Sequence, residues 1–169
     1  MPHATFVNRL TPQGCEWLSS EQVNAVLAQS RTGLCLSAVE GTMKASMEYL
    51  FAGLSVVSTP SFGGRDVYFD DEYCLIAEPD PRSIRDAVKA LVARAVPRER
   101  VRARTLARVE ADRARYIAFV QSLIDEAGGR DNFADHFWNL IRSHTFTHWC
   151  PVREFTQTVL NALSPARPS

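Results

Sequence analysis

The chain has 169 residues, long enough for a single domain with a real core, and its 19 lysines and arginines balance 19 acids. That balance leaves no net field to hold a polyanion, and the 17 arginines cluster late, against two lysines, Lys44 and Lys89, so nucleic acid is not expected as a partner. No stretch approaches the roughly 18–20 apolar residues that span a bilayer, and "MPHATFVNRL" lacks a signal-peptide core, so membrane association is not indicated and a cytoplasmic location is expected.

Residues 4–8, "ATFVN", are short and β-prone, and a polar loop holding Pro12 and Gly14 follows. Ser19-x-x-Gln22 fits a capping box, and Val23, Val26 and Leu27 give one apolar stripe, so a helix is predicted up to Arg31-Thr32-Gly33. "GLCLS", Gly33 to Ser37, is a continuous apolar run of the kind buried on both faces of a sheet. From Thr42 to Ala52 the spacing of Met43, Met47, Leu50 and Phe51 predicts a helix, with Gly53 placed for a left-handed cap. A second buried strand, "LSVVST", comes at once. Strand, helix and strand within so few residues make a βαβ unit, hence parallel strands.

After the loop "PSFGGRDVYFDDEY" a short strand "CLIA" is predicted, then a helix capped by Asp80, with Pro81 in its first turn and Ile84, Ala87, Val88, Leu91 and Val92 on its apolar face. Beyond Pro97 the pattern is helix without strands. Val101, Val109, Tyr116, Val120, Leu123 and Ile124 lie among charges until Gly128-Gly129, and an aromatic-rich final segment reads as two helices around Pro151. The expectation is an α/β chain: a Rossmann-like parallel-sheet half-domain over residues 1–96 and a C-terminal helical extension over 97–169.

In an open parallel sheet, ligands bind outside the carboxyl ends of the strands, where helices begin. Glu40 falls just past such an end. Gly41 allows close backbone approach, and the unpaired amides of Thr42, Met43 and Lys44 form a seat for phosphate. Glu48, two turns on, offers two oxygens to a pair of neighbouring hydroxyls, as in a ribose. The constellation describes a nucleotide sugar. A solvated helix start, where acids are favoured by the dipole, is the competing reading of the two glutamates.

"SAVEGTMKASMEYLFAGLSVVST" resembles the Glu-seven residues-Glu segment of retaining glycosyltransferases of the GT-B fold, family-4-like (glycosyl transferases group 1), specifically their C-terminal donor-binding domain. The resemblance runs from about Ser19 to Leu91. It implies that Glu40 contacts the transferred sugar and is the catalytic-site acid, that the amides of Gly41, Thr42 and Met43 meet sugar and phosphate, and that Glu48 holds the ribose. It implies no cofactor. Ser55 stands where the family often has proline, and Tyr49 where it often has alanine. A larger departure is that the family's Arg/Lys pair for the diphosphate has no counterpart before Glu40, where only Arg9 and Arg31 occur. The acceptor is unknown, and an N-terminal acceptor domain on another chain is the implied partner. The alternatives are an epimerase on the same fold and a non-catalytic nucleotide-sugar-binding module or split-enzyme subunit.

The remaining candidates read more simply. Gly63-Gly64 is consistent with a turn, and Arg65 and Asp66 with fixing that loop. Lys44 is either a surface residue or a phosphate contact. His144 and His148 share a helix face with Cys150 nearby, but no fourth ligand stands at useful spacing, so no metal is expected. Cys15, Cys35, Cys74 and Cys150 contain no C-x-x-C and read as reduced, mostly buried thiols. Acids interrupt the arginine run from Arg98 to Arg115, which reads as a solvated face or, less simply, as a patch for an acidic partner.

Overall fold

A computed structural model of the chain describes residues 9–41 and 44–144. The β-prone segment at 4–8, Thr42 and Met43, and everything after 144, including His148, Cys150 and the helices expected around Pro151, lie outside the described residues. The chain divides into two compact units, Met1–Asp112 and Arg113–Ser169. The described residues form a mixed α/β structure with a small parallel sheet and several helices.

The loop expected around Pro12 is instead a hairpin. β1 (Arg9–Thr11) pairs antiparallel with β2 (Gly14–Glu16), and Gly14 takes a φ of 122° that side chains disfavour. Three residues per strand are too few for alternation to show in the sequence. α1 (Ser20–Gln29) begins where the capping box places it: Ser19 Oγ accepts from the Gln22 amide at 3.3 Å, and Gln22 Oε1 accepts from the Ser19 amide at 2.8 Å.

β3 (Thr32–Cys35), β4 (Ser55–Ser58) and β5 (Cys74–Ile76) make the parallel sheet, with β4 in the centre and all four of its residues buried. Such a strand has no solvent face, so Val56 and Val57 stand side by side without alternation and the serines on either side of them are buried too. α2 (Lys44–Phe51) connects β3 to β4 and ends in a Schellman motif, with the Leu54 amide donating to the Tyr49 carbonyl at 2.9 Å and the Gly53 amide to the Leu50 carbonyl at 3.0 Å. Gly53 supplies the left-handed φ of 76° that this motif requires.

α3 (Pro81–Arg94) is capped by Asp80, whose Oδ1 accepts from the amides of Arg82 and Ser83 at 2.9 and 3.0 Å. The core cluster joins Cys35, Leu50, Val56, Tyr73, Cys74 and Val101. Burial pushes the thiols of Cys35 and Cys74 up to about 11, which keeps both protonated and poor as nucleophiles near neutral pH.

On α4 (Arg98–Glu126) the arginines Arg100, Arg102, Arg104 and Arg108 are exposed, as a solvated face requires, and they also make bonds that the sequence does not show. Arg98 donates to the Leu27 and Ser30 carbonyls, Arg102 to the Phe51 carbonyl, and Arg108 to the carbonyls of Val67 and Phe69 at 2.9 and 2.8 Å. Arg100 and Arg104 engage Glu72, and Arg104 also reaches Asp70 at 2.7 Å. A guanidinium fork meets several oxygens at once, so this face fastens the loops that leave the helices and strands. The sequence conceals this because the acceptors are mostly backbone carbonyls far away along the chain.

In the second unit, α5 (Phe133–His144) sets Phe133 and Phe137 edge-on to Tyr116, with ring centroids 6.1 and 6.3 Å apart, and Arg113 sits 4.8 Å over the Trp138 ring. No described helix is long and apolar enough to cross a membrane.

Candidate ligand site at the carboxyl end of the sheet

Two chain segments leave the carboxyl end of the sheet side by side, residues 36–41 after β3 and residues 59–66 after β4. The Thr59 amide donates to the Cys35 carbonyl at 3.2 Å, the Phe62 amide to the Ala38 carbonyl at 3.1 Å and the Glu40 amide to the Phe62 carbonyl at 2.9 Å. Parallel pairing thus continues beyond the sheet to a bridge between Val39 and Phe62, whose side chains are both largely exposed. Glu40, read from sequence as lying just past the strand end, is held on a paired backbone.

Glu40 is half-buried, and its Oε1 accepts from Ser37 Oγ at 2.6 Å. This short charge-assisted bond fixes the carboxylate and leaves its second oxygen without a partner among the described residues. Sequence reasoning passed over Ser37, although a serine three residues before a glutamate in a turn is the available signal.

Gly63 is what brings the two segments together. Its φ is 126°, and a β-carbon there would fall on the Glu40 carbonyl. The pair Gly63-Gly64 is therefore more than a turn at its first position: that residue permits a close backbone approach to Glu40.

Gly41 is exposed, nothing stands within 4 Å of a β-carbon built on it, and its φ is not in the left-handed region. Local packing among the described residues therefore gives no reason to exclude a side chain there. Gly41→Ala is expected to change stability by no more than about 1 kcal/mol while blocking backbone approach to the ligand. Thermal melting together with titration of UDP, GDP and ADP checks this, and an unfolded variant would make the residue structural. Of the three amides assigned to phosphate, that of Gly41 is described, and those of Thr42 and Met43 lie outside the described residues.

Glu48 sits on α2 one turn after Lys44, with Lys44 Nζ 3.6 Å from Glu48 Oε1. The lysine side chain is 90% exposed and the glutamate 39% exposed, so the pair contributes only a few tenths of a kcal/mol. Glu48 is thus open to a ligand that can replace a weak surface partner. The neighbouring Tyr49 does narrow the space behind the helix, because its ring lies directly against Gly33 of β3.

The loop after β4 is anchored from three directions. Ser46, buried in the first turn of α2, donates to the Arg65 carbonyl at 3.1 Å, Arg108 holds Val67 and Phe69, and the Arg65 side chain turns inward to Thr59. Arg65 does fix the loop, as its sequence context implies, and its charge reaches the Cys35 thiol, as does that of Glu40. Among the described residues no group of three His, Cys, Asp or Glu is placed to hold a metal ion.

No protein-family model matches this chain, and no curated protein matches it.

Proposed function

We propose that this chain is the Rossmann-like donor-binding part of a retaining GT-B glycosyltransferase and transfers a sugar from a nucleotide sugar to an acceptor. The observation that carries the reading is the position of Glu40. Its carboxylate is oriented by Ser37 on a backbone that prolongs parallel pairing past β3, immediately before the glycine that precedes α2. Ligands of parallel sheets bind at that place.

In this reading the open oxygen of Glu40 accepts from a sugar hydroxyl, the amides from Gly41 to Met43 meet the phosphates, and Glu48 accepts from the ribose diol. Glu40 is the acid that touches the transferred sugar, and no glutamate acts as a nucleophile. Rate enhancement comes from orienting the donor and from stabilising the charge on the departing diphosphate. A second reading, a nucleotide-sugar-binding subunit that needs an acceptor domain on another chain, is favoured by β3. Among the described residues its outer edge has no strand partner, and such an edge accepts a strand from elsewhere.

Glu48→Gln separates the donor site from a solvated helix start. It keeps the size of the side chain and replaces one acceptor oxygen by an amide donor, so binding of UDP, GDP or ADP is expected to weaken by about 1–3 kcal/mol. Stability should move by only tenths of a kcal/mol, since the Lys44 pair is at the surface. Calorimetric titration of the three nucleotides into both proteins is the measurement. Equal affinity for a nucleotide that binds measurably removes Glu48 from the site, and release of sugar from a nucleotide sugar by the wild type tests the transfer step.

A further inference from the structure

Arg65 is 3% exposed, and no acid among the described residues forms an ion pair with it. Its Nη2 donates to the Thr59 carbonyl at 2.5 Å and lies 3.4 Å from Thr59 Oγ1. Its Nε and Nη1 are buried and have no hydrogen-bond partner. A guanidinium stays charged at any pH a protein experiences, so it cannot escape burial by losing a proton. A buried charge without a counterion, carrying two unused donors, works against folding, and such groups call for an explanation in terms of function or a missing ion.

The position of this guanidinium supplies the explanation. Thr59 is the first residue after β4, and its amide is bonded to Cys35 at the end of β3, so the guanidinium lies at the carboxyl ends of both strands. Arg65 and Glu40 both act on the Cys35 thiol, Arg65 lowering its pKa and Glu40 raising it, yet the Glu40 carboxylate is bonded to Ser37 and not to the guanidinium. The guanidinium is bonded to Thr59 after β4 and the carboxylate to Ser37 after β3, so a cation and an anion stand at the same end of the sheet without forming an ion pair. A ligand with an anionic group beside a hydroxyl would satisfy both.

We infer that Arg65 is the cation of this site and that its free Nε and Nη1 donate to phosphate oxygens of a phosphorylated sugar donor whose hydroxyl is held by Glu40. The inference rests on the proposed donor site and supplies a cation for the phosphates in place of the resembled family's Arg/Lys pair. Nη2, the donor that shares an edge with each of the others, is taken by Thr59, so Nε and Nη1 act as separate donors to anionic oxygens around one planar charge, which a lysine at the same place would not reproduce.

The test uses the full chain and its Arg65→Met and Arg65→Lys variants, with inorganic pyrophosphate and with UDP, GDP and ADP as probes, read by calorimetric titration and thermal melting. In the wild type, pyrophosphate and at least one nucleotide are expected to bind and raise the melting temperature. In Arg65→Met both are expected to bind about 10- to 100-fold more weakly, while the ligand-free protein melts within a few degrees of the wild type, the loss of the Thr59 bonds being offset by the removal of an uncompensated buried charge. If the methionine variant does not fold, Arg65→Lys carries the test, with an expected loss of about tenfold.

Nucleotide affinity unchanged in these variants would overturn the role of Arg65 and leave the nucleotide site standing. Arginine-dependent binding of pyrophosphate, with no nucleotide binding more tightly than pyrophosphate, would keep Arg65 as the anion contact and remove the nucleoside from the donor reading. If the wild type binds neither pyrophosphate nor any nucleotide, the inference is wrong.

Discussion

Gly63→Ala is expected to lower stability by about 3 kcal/mol or more and, at the proposed donor site, to abolish nucleotide binding in the protein that remains folded. Two costs add at this position. Holding an alanine at a φ of 126° is strained, by about 1–3 kcal/mol for a residue with a β-carbon. The new methyl group would also fall on the Glu40 carbonyl, which belongs to the backbone and cannot rotate aside as a side chain could. The segments 36–41 and 59–66 must then separate, breaking the bond from the Glu40 amide to the Phe62 carbonyl and displacing the carboxylate set by Ser37. The control is next door: a β-carbon on Gly64 meets only Val67 Cγ2 at 3.6 Å, an ordinary contact. Chemical denaturation and titration of UDP, GDP and ADP into both variants decide the matter. If Gly63→Ala is no more damaging than Gly64→Ala, the close approach does not organise the site.

What the sequence made legible follows from how local each determinant is. The capping box at Ser19, the Asp80-Pro81 helix start and the Gly53 terminus each depend on residues within one turn, and all three stand in the structure where the pattern places them. β4 was readable because burial on both faces removes alternation. The position of Glu40 was readable from the apolar run before it, although β3 is not buried on both faces as that run suggests: its residues alternate between half-buried and buried, and Leu36 after it is exposed. Its orientation by Ser37, its approach to Gly63 and the burial of Arg65 were not, because each depends on the loop after β4 folding back over a neighbouring strand. The arginines of α4 show the same limit. Alternating charge reads as a solvated face, yet Arg98, Arg102 and Arg108 reach carbonyls 39 to 71 residues away in sequence.

Tyr49, the departure from the resembled family's alanine, leads to the second large effect. Its ring lies where a β-carbon on Gly33 would be, so the bulky residue on α2 and the missing side chain on β3 form one complementary contact. Gly33→Ala alone is expected to cost about 2–3 kcal/mol, because the methyl group meets the ring at Cγ, near the root of the side chain, where a rotamer adjustment cannot clear it. Tyr49→Ala alone is expected to cost about 3 kcal/mol through the loss of a partly buried ring packed on the core. In the double variant the new methyl group enters the space the ring has left. The cost of Gly33→Ala should then fall below about 0.5 kcal/mol, giving a coupling of about 2 kcal/mol between the two positions. Equal costs of Gly33→Ala in both backgrounds, measured by urea denaturation, would show that the glycine serves the strand and not the ring. The contact also bears on the proposed site, since Tyr49 is the residue after Glu48 and its ring packs α2 against β3. Weaker nucleotide binding is therefore expected in Gly33→Ala, although Gly33 touches no ligand, and the Tyr49→Ala background should not suffer that further loss.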